Sequence, residues 1–116
     1  MSTNKSEFCD NEGMNTCEVI CKRCSCLILR EKQAVFADKQ IDVPLTEVTG
    51  DSQSETLNEQ WCVENMYQFE NMGFSNTVND CKFLVCAECE YGPLGVHFIK
   101  LNKSYLCWQR VINKCN

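Results

Sequence analysis

Apolar positions along the chain fall in short runs separated by polar punctuation, the pattern of strands rather than of helices. Cys26–Leu29 is an apolar patch directly behind a cysteine pair. Ala34–Phe36 and Ile41–Val43 flank the polar Asp38-Lys39-Gln40, as in a hairpin or a bent strand, and Pro44 ends the run. Trp61 to Phe69 is rich in aromatics, but its period is ambiguous. Phe83-Leu84-Val85 leads straight into a second cysteine pair. Val96–Leu101 and Tyr105–Ile112 read as a terminal hairpin with Asn102-Lys103-Ser104 at its turn, although alternation through the second arm is only partial. No segment sustains the long period of an amphipathic helix. A mostly β fold is expected.

Two stretches lack this patterning. Residues 1–17 are polar and aperiodic and read as a flexible N-terminal tail. Thr46–Asn58 reads as a mobile loop inside a single domain spanning residues 18–116. A chain of 116 residues has no room for a second independent core. Charge sharpens the picture. Residues 42–80 carry eight acids and no base, within a net charge of −5. Such a segment repels phosphate backbones, so nucleic acid is excluded as a partner and a protein surface bearing Lys or Arg is favoured. No apolar run approaches the length of a membrane span. The polar start and the Lys114-Cys115-Asn116 end carry neither a signal-peptide core nor a prenylation box.

Eleven cysteines would suit a secreted disulfide scaffold, but the odd count and the polar start favour a reducing, cytoplasmic setting with metal-bound and free thiols. The chemistry is concentrated in Cys21-Lys22-Arg23-Cys24 and Cys86-Ala87-Glu88-Cys89. A CxxC knuckle turns tightly enough for both thiolates to face one ion, and two knuckles complete the tetrahedral shell of a closed structural zinc site. Cys24 and Cys86 are separated by about sixty residues, so the ion would join distant segments and convert metal affinity into folding stability. Lys22 and Arg23 would offset part of the charge of four thiolates. Cys26 could stand in for Cys24, but the symmetry of the knuckles favours Cys24. A thioredoxin-like redox pair lacks its βαβ setting, and four thiolates leave a catalytic zinc no open position. Cys9, Cys17, Cys26, Cys62, Cys81, Cys107 and Cys115 have no regular spacing and read as core or incidental thiols, with Cys17 or Cys115 exposed and oxidisable. His97, the only histidine, has no catalytic constellation beside it and reads as structural.

The first knuckle, the block Trp61-Cys62-Val63-Glu64-Asn65-Met66-Tyr67-Gln68-Phe69-Glu70-Asn71-Met72-Gly73-Phe74 and the block from Lys82 to Gly95 occur in an order that resembles one family. That family is the Rab-interacting factors, small zinc-binding guanine-nucleotide exchange factors and chaperones of Rab GTPases. The similarity runs from about Ile20 to Val111, interrupted by the Thr46–Asn58 loop.

The resemblance implies a β-tent, in which bent antiparallel sheets are tied at one end by a single structural Zn2+ on Cys21, Cys24, Cys86 and Cys89. It also implies a cytoplasmic monomer that binds a Rab-family GTPase, stabilises its nucleotide-free form and promotes release of guanine nucleotide without covalent chemistry. Carried over by position, the GTPase face comprises Glu64, Asn65, Met66, Tyr67, Phe69, Glu70, Asn71 and Glu88. Met66, Tyr67 and Phe69 would form an apolar patch, with Phe69 the one expected to turn into the core. The family pattern has Asp at the positions of Asn65 and Glu88, and a bulkier aromatic at Val96. Loss of charge at position 65 leaves open a Rab chaperone, or holdase, with little exchange. A methionine-sulfoxide-reductase-like enzyme shares a related fold and paired knuckles, but no active-site cysteine block beyond the knuckles accompanies them here.

Overall fold

The computed structural model describes residues 8–44, 54–75, 77 and 80–115. They form nine strands: β1 (Glu18–Cys21), β2 (Leu27–Leu29), β3 (Val35–Pro44), β4 (Ser54–Val63), β5 (Gly73–Phe74), β6 (Cys81–Val85), β7 (Gly95–Phe98), β8 (Lys103–Cys107) and β9 (Val111–Lys114). All pairings are antiparallel. A three-stranded sheet runs β2-β1-β9 and a six-stranded sheet runs β3-β4-β8-β7-β6-β5.

The six-stranded sheet is apolar on both faces. Trp61, Val63, Leu84 and Leu106 meet Val19, Ile28, Leu29 and Val111 of the small sheet. Ile41, Val43, Leu57, Val96, Tyr105 and Cys107 form a second cluster on the other face. A register shift in β3 between Asp38 and Ile41 bends the far end of the β3–β4 hairpin, which carries Ile41 and Val43 of this cluster. Strands buried on both faces lose the polar alternation of a solvated sheet, which explains the ambiguous period around Trp61 and Tyr105.

The predicted second arm, Tyr105–Ile112, is not one strand. After β8 the chain leaves the large sheet through a 3-10 turn, Trp108–Arg110, and enters the small sheet as β9. Trp108 stacks at 4.7 Å on Trp61, with Phe36 and Phe8 edge-on at 5.2 and 5.6 Å. Trp61 Nε1 donates to Asn113 Oδ1 at 2.8 Å, binding one sheet to the other. Arg110, 4% exposed, donates twice to Glu55 Oε1 (3.1 and 2.6 Å) and once to the Pro93 carbonyl (2.6 Å). The turn keeps Trp108 and Arg110 buried while it carries the chain from one sheet to the other. Gly95 marks the closest backbone approach in the large sheet, since a Cβ there would lie 2.0 Å from the Tyr105 carbonyl oxygen.

Part of the expected loop and part of the expected tail belong to ordered backbone. Residues 45–53 lie outside the described residues, but Ser54–Asn58 belong to β4, where Asp42 accepts from Thr56 across the ladder at 2.5 Å. Ser54, Glu55, Thr56 and Asn58 are polar because they face solvent, not because the backbone is unpaired, while Leu57 turns into the core. Residues 1–7 of the expected tail also lie outside the described residues, whereas residues 8–17 dock on the domain. Asn15 is fully buried and saturated: its Nδ2 donates to the Cys17 and Arg30 carbonyls, and its Oδ1 accepts from the Gln33 and Ala34 amides, at 2.8–2.9 Å.

His97 is also structural. It is buried in β7, with Nδ1 2.8 Å from Ser104 Oγ and its ring edge-on to Phe74. Burial, followed by the charge of Lys82, lowers its pKa below the usual histidine value of 6.5.

Two outcomes follow. Asn15→Ala deprives four backbone groups of their partner, two of them buried, and should cost about 3 kcal/mol in urea unfolding; a loss near zero would mean that residues 8–17 do not hold the fold. The single imidazole resonance should titrate with a midpoint below 6.5 in proton NMR. Because the native pKa is depressed, this histidine's contribution to stability is complete above pH 6.5 and is lost as pH falls through the native value.

Candidate metal centre and the face beside it

The two knuckles are built alike. Cys21 ends β1, and Cys86 directly follows β6. The Cys21 amide donates to the Cys26 carbonyl (2.9 Å), while its carbonyl accepts from the Ser25 amide (3.0 Å). The Cys86 amide likewise donates to the Tyr91 carbonyl (3.0 Å), and its carbonyl accepts from the Glu90 amide (2.8 Å). Ser25 and Glu90 occupy the same place in each knuckle and both adopt left-handed backbone, with φ of 64° and 62°. Such a conformation costs a non-glycine residue about 1 kcal/mol and persists where the surroundings over-determine it. Cys26 therefore stands where Tyr91 stands in the second knuckle, and Cys24 takes the cluster position.

Sγ atoms of Cys21, Cys24, Cys86 and Cys89 lie within 4.8 Å of one another. Cys21 and Cys89 are 3.6 Å apart and Cys24 and Cys86 are 3.5 Å apart. A tetrahedral ion with ligand bonds of about 2.3 Å needs edges of about 3.8 Å, so four thiolates fit one ion here without rearranging the backbone. Donors already face the sulfurs: the Arg23 amide reaches Cys21 Sγ at 3.4 Å and Asn71 Nδ2 reaches Cys86 Sγ at 3.2 Å. Burial pushes the Cys86 thiol up, but the Cys89 amide, the Asn71 side chain and the Glu88 amide outweigh it and hold the pKa at about 6. The two first-knuckle cations are engaged nearby, Lys22 on the Gln109 carbonyl (2.6 Å) and Arg23 over the Tyr91 ring (5.9 Å).

Residues 64–71 cross this end as a strap fastened to both halves of the site. The Glu70 amide donates to the Ile28 carbonyl at 2.7 Å, on β2 behind the first knuckle. Asn71 Oδ1 accepts from the Ala87 amide at 3.0 Å, inside the second knuckle, while its Nδ2 holds Cys86 Sγ. The Glu70 carboxylate also pairs with Arg30 at 3.4 Å.

Just before these fastenings, Met66–Gln68 form one 3-10 turn. Asn65 Oδ1 accepts from the Tyr67 amide (2.9 Å), and Gln68 Oε1 accepts from the Asn65 amide (3.1 Å). This is a capping box, and the Asn-x-x-Gln spacing that makes it is readable in the sequence.

The turn projects Tyr67, which is 86% exposed, with Met66 38% exposed beside it. Phe69 turns inward, edge-on to Phe74 at 6.2 Å and packed against the main core. Glu64, Glu70 and Glu88 face solvent. The eight residues expected on the GTPase face thus divide by local job. Glu64, Met66, Tyr67, Glu70 and Glu88 are presented, Asn65 and Asn71 hold backbone, and Phe69 anchors. An amide caps as well as a carboxylate, so Asn65 keeps the turn that Asp would keep.

Of the other cysteines, burial pushes Cys107 up to about 11 and also raises Cys62. Cys17 and Cys115 depart from the expectation of incidental thiols, since they form a disulfide.

A family model described as Mss4 protein matches residues 14–113. A Drosophila melanogaster protein named guanine nucleotide exchange factor MSS4 homolog is 39% identical, covering 97% of this chain and 98% of the relative. A Schizosaccharomyces pombe protein of the same name is 26% identical over 80% of this chain and 92% of its own length. With the family match spanning both knuckles and the strap between them, the chain belongs to the Mss4 family.

Proposed function

We propose that this chain is a guanine-nucleotide exchange factor for a small GTPase of the Rab type, with one structural zinc ion on Cys21, Cys24, Cys86 and Cys89. The observation that carries the reading is the strap: an exposed Met66–Tyr67 turn, flanked by presented carboxylates and fastened to the second knuckle and to β2 behind the first. The relatives' printed names supply the class of activity.

Exchange needs no bond to be made or broken. A GTPase holding nucleotide at nM to pM affinity binds it with on the order of −12 to −16 kcal/mol. A partner that prefers the empty conformer must weaken the nucleotide by the same factor, because the two equilibria are linked. Tyr67 and Met66 supply apolar area that can seat against a mobile segment of the GTPase. Glu64, Glu70 and Glu88 can compete with phosphate for Mg2+ and for the cationic side chains that otherwise neutralise it. Zinc, when bound, supplies rigidity. Asn71 holds the strap to that rigid point, and Asn65 with Gln68 holds the display turn.

The tests separate the parts. Titrating the protein into Rab GTPases loaded with fluorescent guanine nucleotide should accelerate release. Tyr67→Ala should slow that release about tenfold, as expected for truncating a central aromatic contact, with the melting temperature unchanged. Asn65→Asp should leave the rate near that of the parent chain, whereas Asn65→Ala should lower it. A stable complex with empty GTPase and no acceleration would mean a chaperone instead, and neither response with any Rab would sink the reading. Metal analysis should return one zinc per chain, and an excess of chelator under reducing conditions should abolish the near-ultraviolet dichroism of Trp61 and Trp108.

A further inference from the structure

β1 is the central strand of the small sheet, and both of its ends carry sulfur chemistry. Its last residue, Cys21, belongs to the four-cysteine cluster. Immediately before its first residue stands Cys17, disulfide-bonded to Cys115. The pairing follows from the ladder. β1 and β9 run antiparallel with Glu18 opposite Lys114 and Cys21 opposite Val111, so extending the register by one residue places Cys17 opposite Cys115. Their Cα atoms are 4.8 Å apart, inside the range a disulfide spans without backbone movement. The two sulfurs differ in access: Cys17 is 5% exposed, whereas Cys115 faces solvent. The bond joins residues 98 apart in sequence, so it closes nearly the whole fold into one covalent loop.

We propose that Cys17 and Cys115 form a redox-controlled staple that keeps the three-stranded sheet assembled when the four-cysteine site loses its metal. The second half of this inference rests on reading that site as a metal centre; the staple itself does not. The oxidant is a low-molecular-weight disulfide such as oxidised glutathione. The exposed Cys115 thiolate attacks one of its sulfurs, forms a mixed disulfide and expels one glutathione thiolate. The Cys17 thiolate, across the ladder, then attacks the Cys115 sulfur and expels the second. Two protein thiols are oxidised, one glutathione disulfide is reduced to two thiols, and the two protons lost by the cysteines end on glutathione. Reduction runs the same path backwards, entering at the accessible Cys115 sulfur.

The consequence lies in how the small sheet is held. Cys21 and Cys24 tie one end of β1 to the second knuckle through the shared site. β9 is tied independently to the large sheet, through Trp61 Nε1 on Asn113 and the packing of Val111. With the metal gone, β1 keeps its ladder hydrogen bonds and the burial of Val19 and Cys21, and the staple adds a covalent tie to β9. Conditions that oxidise thiolates and strip the metal are the same conditions that close the staple. The fold is thereby held in a state that can take up metal again.

The test uses the full chain, loaded with zinc and then equilibrated with either oxidised or reduced glutathione. Peptide mapping by mass spectrometry should show a Cys17–Cys115 cross-link, 2 Da lighter than its thiols, only in the oxidised sample. Thermal unfolding followed by Trp fluorescence, in excess chelator, should give a midpoint about 10 °C higher for the oxidised chain. Cys115→Ser, at an exposed site near the chain end, should fold normally with zinc yet lose that difference. A cross-link confined to the knuckle cysteines would overturn the staple. A Cys17–Cys115 cross-link that leaves the chelated midpoint unmoved would overturn its protective role. Either result is independent of whether the chain releases nucleotide from a GTPase.

Discussion

Four sulfurs converging on one point is the constraint on which the rest of this molecule depends. Cys21 and Cys89 are 68 residues apart in sequence and Cys24 and Cys86 are 62 apart, yet each pair stands within 3.6 Å. Bringing such distant segments together costs loop-closure entropy that grows only slowly with length, but sixty residues of chain between the knuckles must then fold compatibly with the junction. Each knuckle meets that demand with the same local solution, a reversed turn through a left-handed fifth residue and a pair of backbone hydrogen bonds about the first cysteine. The small sheet hangs from one knuckle and the large sheet from the other. Trp61, Trp108 and Phe36 fill the space between.

The exposed turn gains its rigidity from this junction rather than from propensity. A three-residue 3-10 turn has little intrinsic stability, and nothing in it is buried. Its shape is imposed by the Asn65–Gln68 capping box within and by the fastenings of Glu70 and Asn71 beyond. A partner that must discriminate between two conformers of a GTPase can shift that equilibrium only by its differential affinity, and a wandering Tyr67 would dilute that difference with ordering entropy. Asn65 is instructive here. Judged as a contact residue, the missing negative charge looks like a defect in exchange. Judged as a cap, amide and carboxylate are interchangeable, and the charge on this face comes from Glu64, Glu70 and Glu88.

How much was legible in the sequence follows from which residues carry local signals. The knuckles were legible because CxxC spacing is a short-range code. Phe69 reads as the inward residue of its block on the alternation of a strand, but it is the end of the 3-10 turn at Met66–Gln68 that sends it to the core. The reach of β4 was not legible, because Ser54, Glu55 and Thr56 carry polar, solvent-facing side chains on a backbone paired with β3. Composition reports what a side chain meets, not whether its amide is bonded. Asn15 was missed for the converse reason. A buried amide that satisfies four backbone groups looks, one residue at a time, like any loop asparagine. The break at Trp108 was hidden by a strand buried on both faces, where continuous apolar runs mask the point at which the chain changes sheet.

These misses share a direction: each concerns contacts that no short-range spacing encodes. Arg110 illustrates the energetics. Its guanidinium is buried between Glu55, at the start of β4, and the Pro93 carbonyl before β7, so its charge is tolerable only when three separate segments are already in place. Such a residue adds little to the formation of any one strand and much to the exclusion of alternative arrangements, because in every other packing it is an unpaired charge. The same logic orders the molecule from end to end. Local chemistry at the knuckles determines where the sheets meet, and non-local polar ties at Asn15, Asn113 and Arg110 determine the single way in which they can then close. The strap across the sulfur cluster is therefore held by the consequences of both.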